Sequence, residues 1–352
     1  MPRGFTLTSG LINFCRARVA KTGCGAACVT LAFFSLARCV AAQIPAQQSV
    51  PQTPQAIQVN VQRVSVGAIV TDAKGKFAEG LPKQYFHVFD NGEEQVITDF
   101  APADEPGQVL VLVETGPAVY LLRGAHVFAA DALLNGLSPG DRTAIVNYSD
   151  GPTAILNFTT DKSAARAALD DMQFNLGMAQ LNLLQSLNTV LDWMAKVPGK
   201  KTIVLLSTGV DTSQSPVVQT LQLRLQTGEV RILCVSLSGP MRDGKSGNKQ
   251  RIQEMQQAFQ SADALLRALA ENTGGRAYFP KNAKDFQQVY AQIAQLVRHE
   301  YSMTFVPQTA DGAVHTLQVK VDVSTLTAAK PAEYHVDHRK AYIAPKAADI
   351  KP

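Results

Sequence analysis

Residues 109–113 read Val-Leu-Val-Leu-Val, an unbroken apolar run that ends in Glu114 and a Gly116-Pro117 turn. A strand without a polar face predicts burial on both sides, as at the centre of a parallel sheet covered by helices. From there to about residue 280, short apolar runs alternate with segments of helical period. Strands are expected at 143–148, 203–206, 230–237 and 276–279, with a short antiparallel edge strand at 154–158. Helices are expected at 127–134, 163–172, 181–194, 219–226, 251–271 and 285–299, and Asp161 stands where it can cap the second of them. Leu184, Leu187, Leu191 and Met194 fall near one face of the third. This βα order, with right-handed crossovers, gives a doubly wound, mostly parallel α/β sheet. Its crevice is expected at the C-terminal strand ends, where Glu114 lies.

On both sides of this unit the period changes to two. Ile57, Val59 and Val61 alternate with polar neighbours, and Val64, Val66, Ala68 and Val70 alternate in the other phase, which predicts a bulge near 62–63. A turn at Asp72–Gly75 precedes a strand at 86–89, and Asp90-Asn91-Gly92 is a hairpin signal before Val96, Ile97 and Phe100. Beyond the α/β unit come a strand at 300–306, a turn at Asp311-Gly312, alternation at Leu317, Val319, Val321 and Val323, and a last strand with Tyr334, Val336 and His338. Half-buried strands on both flanks predict one small β domain built from N- and C-terminal segments, with the α/β unit inserted in it. The expected division is a signal peptide at 1–42, a Gln/Pro-rich disordered linker at 43–56, β segments at 57–100 and 300–343, the α/β domain at 107–299 and a tail at 344–352.

Charge and cysteine sharpen the reading of the leader. Arg3, Arg16, Arg18, Lys21 and Arg38 all precede Gln43 and no acid does, so the formal +4 falls to −1 for the rest of the chain. No basic patch remains for nucleic acid. Cys15, Cys24, Cys28 and Cys39 lie in the same stretch, leaving Cys234 as a small hydrophobe in an apolar run. Basic residues, then the uncharged run 22–37, then small residues at 40–42 resemble an export signal. The run is short for a membrane span, so no stable span is expected after its removal. An uncleaved anchor and a lipoprotein box at 36–39, with Arg38 out of place in it, are the alternatives.

Several ordered motifs together resemble the acidobacterial group of von Willebrand factor type A-related proteins. These are Val70-Thr71-Asp72-Ala73-Lys74-Gly75, Gly80-Leu81, the run from Tyr85 to Gly92, Gln95-Val96-Ile97, the run from Thr273 to Phe279, and the run from Tyr301 to Pro307. The resemblance covers about residues 57–343 and implies a type A fold. It also implies a Mg²⁺ or Mn²⁺ site, the metal-ion-dependent adhesion site, at positions matching Glu114, Gly116, Ala118, Ala179 and Thr208. A hard cation needs oxygen ligands in near-octahedral array. Gly116, Ala118 and Ala179 supply none from their side chains, and Thr208 stands where a carboxylate belongs. The expectation is a degenerate site without metal and without any other cofactor.

Such a unit can still bind protein through its loops. Glu114, Thr115, Asp150, Thr208 and Asp211 are the expected binding rim, with 178–182, 211–215 and 239–249 as accompanying loops. Catalysis is not expected: Ser207 and Thr208 have no base in the motif, the six histidines are scattered, and neither a dinucleotide nor a Walker glycine pattern is present. The reading is an exported, non-enzymatic, adhesion-like module with a protein partner, in the periplasm, at the cell surface or outside the cell. The alternative is a structural or assembly component of the cell envelope.

Overall fold

The parity of each buried strand decides how the helices cover it. The computed structural model describes residues 63–120, 122–177, 180–213, 218–242, 249–323 and 334–346. The expected leader, the linker, the alternation at 57–61, Ala179 and most of the 239–249 loop lie outside the described residues. The strands are β1 (Val64–Asp72), β2 (Phe86–Asp90), β3 (Glu93–Gln95), β4 (Ile97–Ala101), β5 (Gln108–Glu114), β6 (Arg142–Tyr148), β7 (Pro152–Thr159), β8 (Lys201–Ser207), β9 (Val230–Ser236), β10 (Ala277–Tyr278), β11 (Glu300–Phe305), β12 (Val314–Val321), β13 (Tyr334–His338) and β14 (Ala341–Ile343). The helices are α1 (Pro117–Tyr120), α2 (Arg123–Gly136), α3 (Lys162–Asp170), α4 (Leu183–Met194), α5 (Val218–Thr227), α6 (Lys249–Glu271) and α7 (Ala283–Arg298).

Six strands form the α/β sheet in the order β10-β9-β8-β5-β6-β7. All pairings are parallel except β6 with β7, the expected antiparallel edge strand. Val109, Val111 and Val113 of β5 face a core shared with α2, α3 and α7. Leu110 and Leu112 face the opposite core, made with α4, α5 and α6. The apolar run is thus buried on both sides because successive side chains point to opposite faces. Asp161 caps α3 by accepting from Ser163 N and Ala164 N. The expected strand at 276–279 is only β10, two residues long. Cys234 is fully buried in β9, and burial pushes its thiol up.

The flanks form two four-stranded antiparallel sheets, β13-β1-β11-β4 and β14-β12-β2-β3. Each takes two strands from the N-terminal flank and two from the C-terminal one. Val66, Val88, Tyr301, Phe305, Val319 and Tyr342 fill the core between them. The hairpin at Asp90–Glu93 turns with positive φ at both Asn91 (49°) and Gly92 (87°), the backbone of a type I′ turn. The segment after the hairpin forms two strands, β3 and β4, with the expected Ile97 and Phe100 in the second. Val96, 82 % exposed, marks the point where the chain leaves the β2 sheet as β3 and enters the β11 sheet as β4. The sandwich also extends past the expected boundary at 343, since Ala344 packs in its core and Lys346 bridges Asp311.

Three buried cations join the sandwich to the N-terminal ends of the parallel strands. Arg231 Nε donates to Glu300 Oε1 at 2.8 Å, with both residues almost fully buried. Lys200 Nζ donates to the carbonyls of Pro102, Ala103 and Glu300. Arg339 donates to the carbonyls of Gln226, Gly228 and Ser65. Burial pulls the Arg339 guanidinium down to about 10. The opposite, C-terminal strand ends form a crest away from this junction.

Candidate functional site

Period two carried one step past the apolar runs puts three polar side chains on one face of the crest. Leu110 and Leu112 lead to Glu114, Ala144 and Val146 to Tyr148, and Ile203 and Leu205 to Ser207. Glu114 pairs with Tyr148 in the β5–β6 ladder, and β8 flanks β5 on its other side.

The three side chains and Thr208 meet in a closed knot. Glu114 Oε2 accepts from Thr208 N (2.8 Å), Thr208 Oγ1 (2.8 Å) and Ser207 Oγ (3.1 Å). Tyr148 OH stands 3.2 Å from the same oxygen and donates to Ser207 Oγ at 2.7 Å. Ser207 Oγ also accepts from Gly209 N at 2.9 Å. Gly209 has φ 79°, and a Cβ there would lie 2.7 Å from the Ala262 carbonyl of α6, so the turn that presents Thr208 requires glycine. Glu114, Tyr148 and Ser207 are 0 % exposed. Burial raises the Glu114 carboxyl above its ordinary value, against hydrogen bonds from Thr208, Ser207 and Tyr148 that lower it. Burial, then the Glu114 charge, push the Tyr148 phenol well up.

The other rim positions serve the loops. Thr115 is buried and donates through N and Oγ1 to the Tyr148 carbonyl. Asp211 Oδ2 accepts from Leu184 N in the first turn of α4, doing the capping work that the Asn182 side chain does not. Asp211 Oδ1 accepts from Ser213 N. Asp150 Oδ1 accepts from Gln180 N, and its carbonyl accepts from Asn182 Nδ2. Thr212 holds Leu181 through both its backbone and its hydroxyl. The segment 180–184 is therefore clamped over the crest from two sides. Leu181 ends up above the knot: a Cβ at Gly116 would lie 3.0 Å from Leu181 Cδ2 and 3.5 Å from Glu114 Oε1.

Of the five residues expected on the binding rim, Glu114, Thr115 and Thr208 are buried beneath it, Asp211 is half-buried and Asp150 is exposed. Glu114 leaves the rim because its carboxylate folds inward to meet three donors, Thr208 N, Thr208 Oγ1 and Ser207 Oγ. Of the expected metal positions, Glu114 and Thr208 come together, Gly116 lies under Leu181, Ala118 is in α1, and Ala179 is outside the described residues. Tyr148, Leu181 and the inward role of Ser207 are absent from the sequence reading. The parity of β6 and β8 is the signal that finds Tyr148 and Ser207. Among the described residues, no group of three or more His, Cys, Asp or Glu could hold a metal ion.

Residues 124–211 match the family model described as von Willebrand factor type A domain. A UPF0353 protein of Mycobacterium marinum is 25 % identical over 183 residues, covering 49 % of this chain and 53 % of its own. The chain thus spans about half the length of the curated relatives it matches. Among solved structures, a von Willebrand factor type A protein from Catenulispora acidiphila aligns at TM-score 0.44 and 12 % identity, over 84 % of this chain and 77 % of that one. BatB from Bacteroides thetaiotaomicron, a conserved hypothetical protein, aligns at TM-score 0.41 and 12 % identity, over 54 % of this chain and 98 % of its own. The α/β unit has a von Willebrand factor type A-like fold, flanked by strands that the two ends of the unit share.

Proposed function

We propose that the α/β unit is a non-catalytic protein-binding module of an exported protein, and that it binds without a divalent metal. The observation that carries this reading is the state of Glu114. Its carboxylate is already filled by donors from Thr208 and Ser207, and Leu181 covers the neighbouring Gly116. A hard cation at this place would have one carboxylate, no serine oxygen from positions 116 or 118, and a threonine hydroxyl already committed to Glu114. The donor set does not fit Mg²⁺ or Mn²⁺. Contact with a partner then falls to exposed crest groups, including Asp150, Tyr120 at 43 % exposure and Leu176 at 61 %. Ser207 is fully enclosed, with its hydroxyl donated to Glu114 and out of reach of any substrate, which supports the non-catalytic reading.

Two measurements test this proposal. Full-length protein used as bait in envelope extracts is expected to retain its partner equally with and without excess chelator. Loss of the partner on chelation would sink the metal-free reading. The export half rests on the basic-then-apolar pattern of residues 1–42. Intact-mass analysis of protein recovered from the envelope is expected to show a species lacking those residues, whereas a cytoplasmic product retaining Met1 would end that half. Among the described residues, no helix is long and apolar enough to cross a membrane.

A further inference from the structure

We propose that His315 is a pH-operated latch in the β-sandwich. When protonated it ties the 311–313 turn to the β2–β3 hairpin and β14, and when neutral it releases the turn. His315 is 3 % exposed, with Nδ1 2.8 Å from Asp90 Oδ1 and Nε2 at 3.2 and 3.3 Å from the two oxygens of Asp311. Both ring nitrogens thus face carboxylates, which only accept. An imidazolium donates from both nitrogens and a neutral ring from one.

Every element packed on the ring contributes to this balance. Asp90 closes β2, Asp311 comes from the turn before β12, and Tyr342 comes from β14, donating its hydroxyl to Asp90 Oδ2 at 2.8 Å. The Arg339 guanidinium lies 5.9 Å from the Tyr342 ring centroid, and Lys346 runs beside Gly312. Burial lowers the proton affinity of His315, but the hydrogen bonds and charges of Asp311 and Asp90 outweigh it and leave the ring above its ordinary value.

The two carboxylates are unequal. The Asp90 side chain is 5 % exposed, while that of Asp311 is 51 % exposed. On deprotonation the remaining N–H stays with Asp90, which has no water to replace it. The Nε2 lone pair then faces Asp311, which turns to solvent. Asp311 also organises its own turn through Ala313 N, and that turn holds the end of the sandwich through Gly312 N to the Pro345 carbonyl and Ala344 N to the Ala313 carbonyl. Release of Asp311 therefore loosens 311–313 and 344–346 together. For a group whose folded-state pKa is raised, the stabilisation is full below the unfolded value and is lost as pH rises through the folded one. The latch is closed in mild acid and opens towards alkaline pH.

The test uses the full chain, with imidazole NMR and hydrogen exchange from about pH 5.5 to about 9.5, a range that spans a raised histidine. His315 is expected to titrate above the ordinary histidine value. Protection in peptides covering 311–316 and 341–346 is expected to fall severalfold across the same midpoint, after division by intrinsic exchange rates. Asp311→Asn, at an exposed position, offers an amide that can pair with either ring state, and its protection is expected to stay constant with pH. A ring that does not titrate in this range overturns the proposal. So does titration without a change in protection, or a pH dependence that survives in Asp311→Asn.

Discussion

Glu114→Ala is expected to destabilise the protein by about 3 kcal/mol, because each buried donor left without a partner costs about 1–3 kcal/mol. Thr208 N and the Ser207 and Thr208 hydroxyls all lose their acceptor. In a chain of this size that loss lowers the thermal midpoint by roughly 4–5 °C. Glu114→Gln is the control. Its carbonyl oxygen replaces Oε2, and the Thr208 hydroxyl can rotate to accept from its amide, so it is expected to remain within about 1 kcal/mol of the parent. The pH dependence points the same way. The folded-state value of Glu114 is raised by burial, so ionising it works against the fold. Its contribution is most favourable below the unfolded carboxyl value and declines as pH rises through the folded one. The Gln variant keeps the neutral form and should lose that slope. Thermal denaturation of the three proteins at several pH values decides the matter. A metal site lacking its metal would behave differently, since removing its carboxylate would leave stability unchanged or improve it.

Arg231→Met is expected to cost about 3–5 kcal/mol, the usual penalty for leaving one member of a buried ion pair alone. Glu300 would remain enclosed between β1 and β9, where its Oε1 would lie 1.9 Å from a Cβ placed on Gly67. Among the described residues, Arg231 supplies the cationic side chain at hydrogen-bond distance from this carboxylate, and its removal leaves the charge unpaired. The double variant Arg231→Met/Glu300→Met is expected to recover most of the loss, since replacing both charges with apolar groups is often neutral or stabilising. Denaturant unfolding of the two single variants and the double variant closes the cycle. A double variant as unstable as the sum of the singles would show that the pair does more than neutralise its own burial. The pair joins the α/β sheet to the sandwich, so hydrogen exchange in β11 should report its loss first.

The elements that could be read in advance were those whose pattern is local. The apolar run of β5 fixed the central strand, and the Asp90-Asn91-Gly92 signal fixed a hairpin whose positive φ angles sit where the turn needs them. Alternation in both flanks implied a sandwich shared by distant segments, because half-buried strands must find a second layer. The split between β3 and β4 was not legible, since Val96 looks like a strand residue and only its 82 % exposure reveals a crossing point. β14 is three residues long and falls below any periodic signal. The buried cations Lys200, Arg231 and Arg339 carry no local signal, because their carbonyl and carboxylate partners lie far away in sequence.

The candidate site followed the same division. The meeting of Glu114 and Thr208 was anticipated through the family resemblance. Its inward, closed geometry was not, because it depends on Tyr148 from β6 and Ser207 from β8 arriving at the same height. Leu181 reaches its position only through clamps from Asp150 and Thr212, which no local pattern encodes. The Asp90–His315–Asp311 cluster spans 225 residues between its first two members. The aspartate belongs to the recognised motif, but the motif alone does not say that it meets a histidine.

The account stands on Glu114 being a structural acceptor that binds no metal. Isothermal titration calorimetry of the unmodified protein with Mg²⁺ and with Mn²⁺ tests this directly. A competent site with ligand at about one hundred times its Kd would add roughly 2.7 kcal/mol to stability, so a parallel thermal scan reads the same equilibrium. The account predicts no saturable heat at millimolar cation and no shift in midpoint between cation and chelator. Stoichiometric micromolar binding of either ion, abolished by Glu114→Gln, would contradict it.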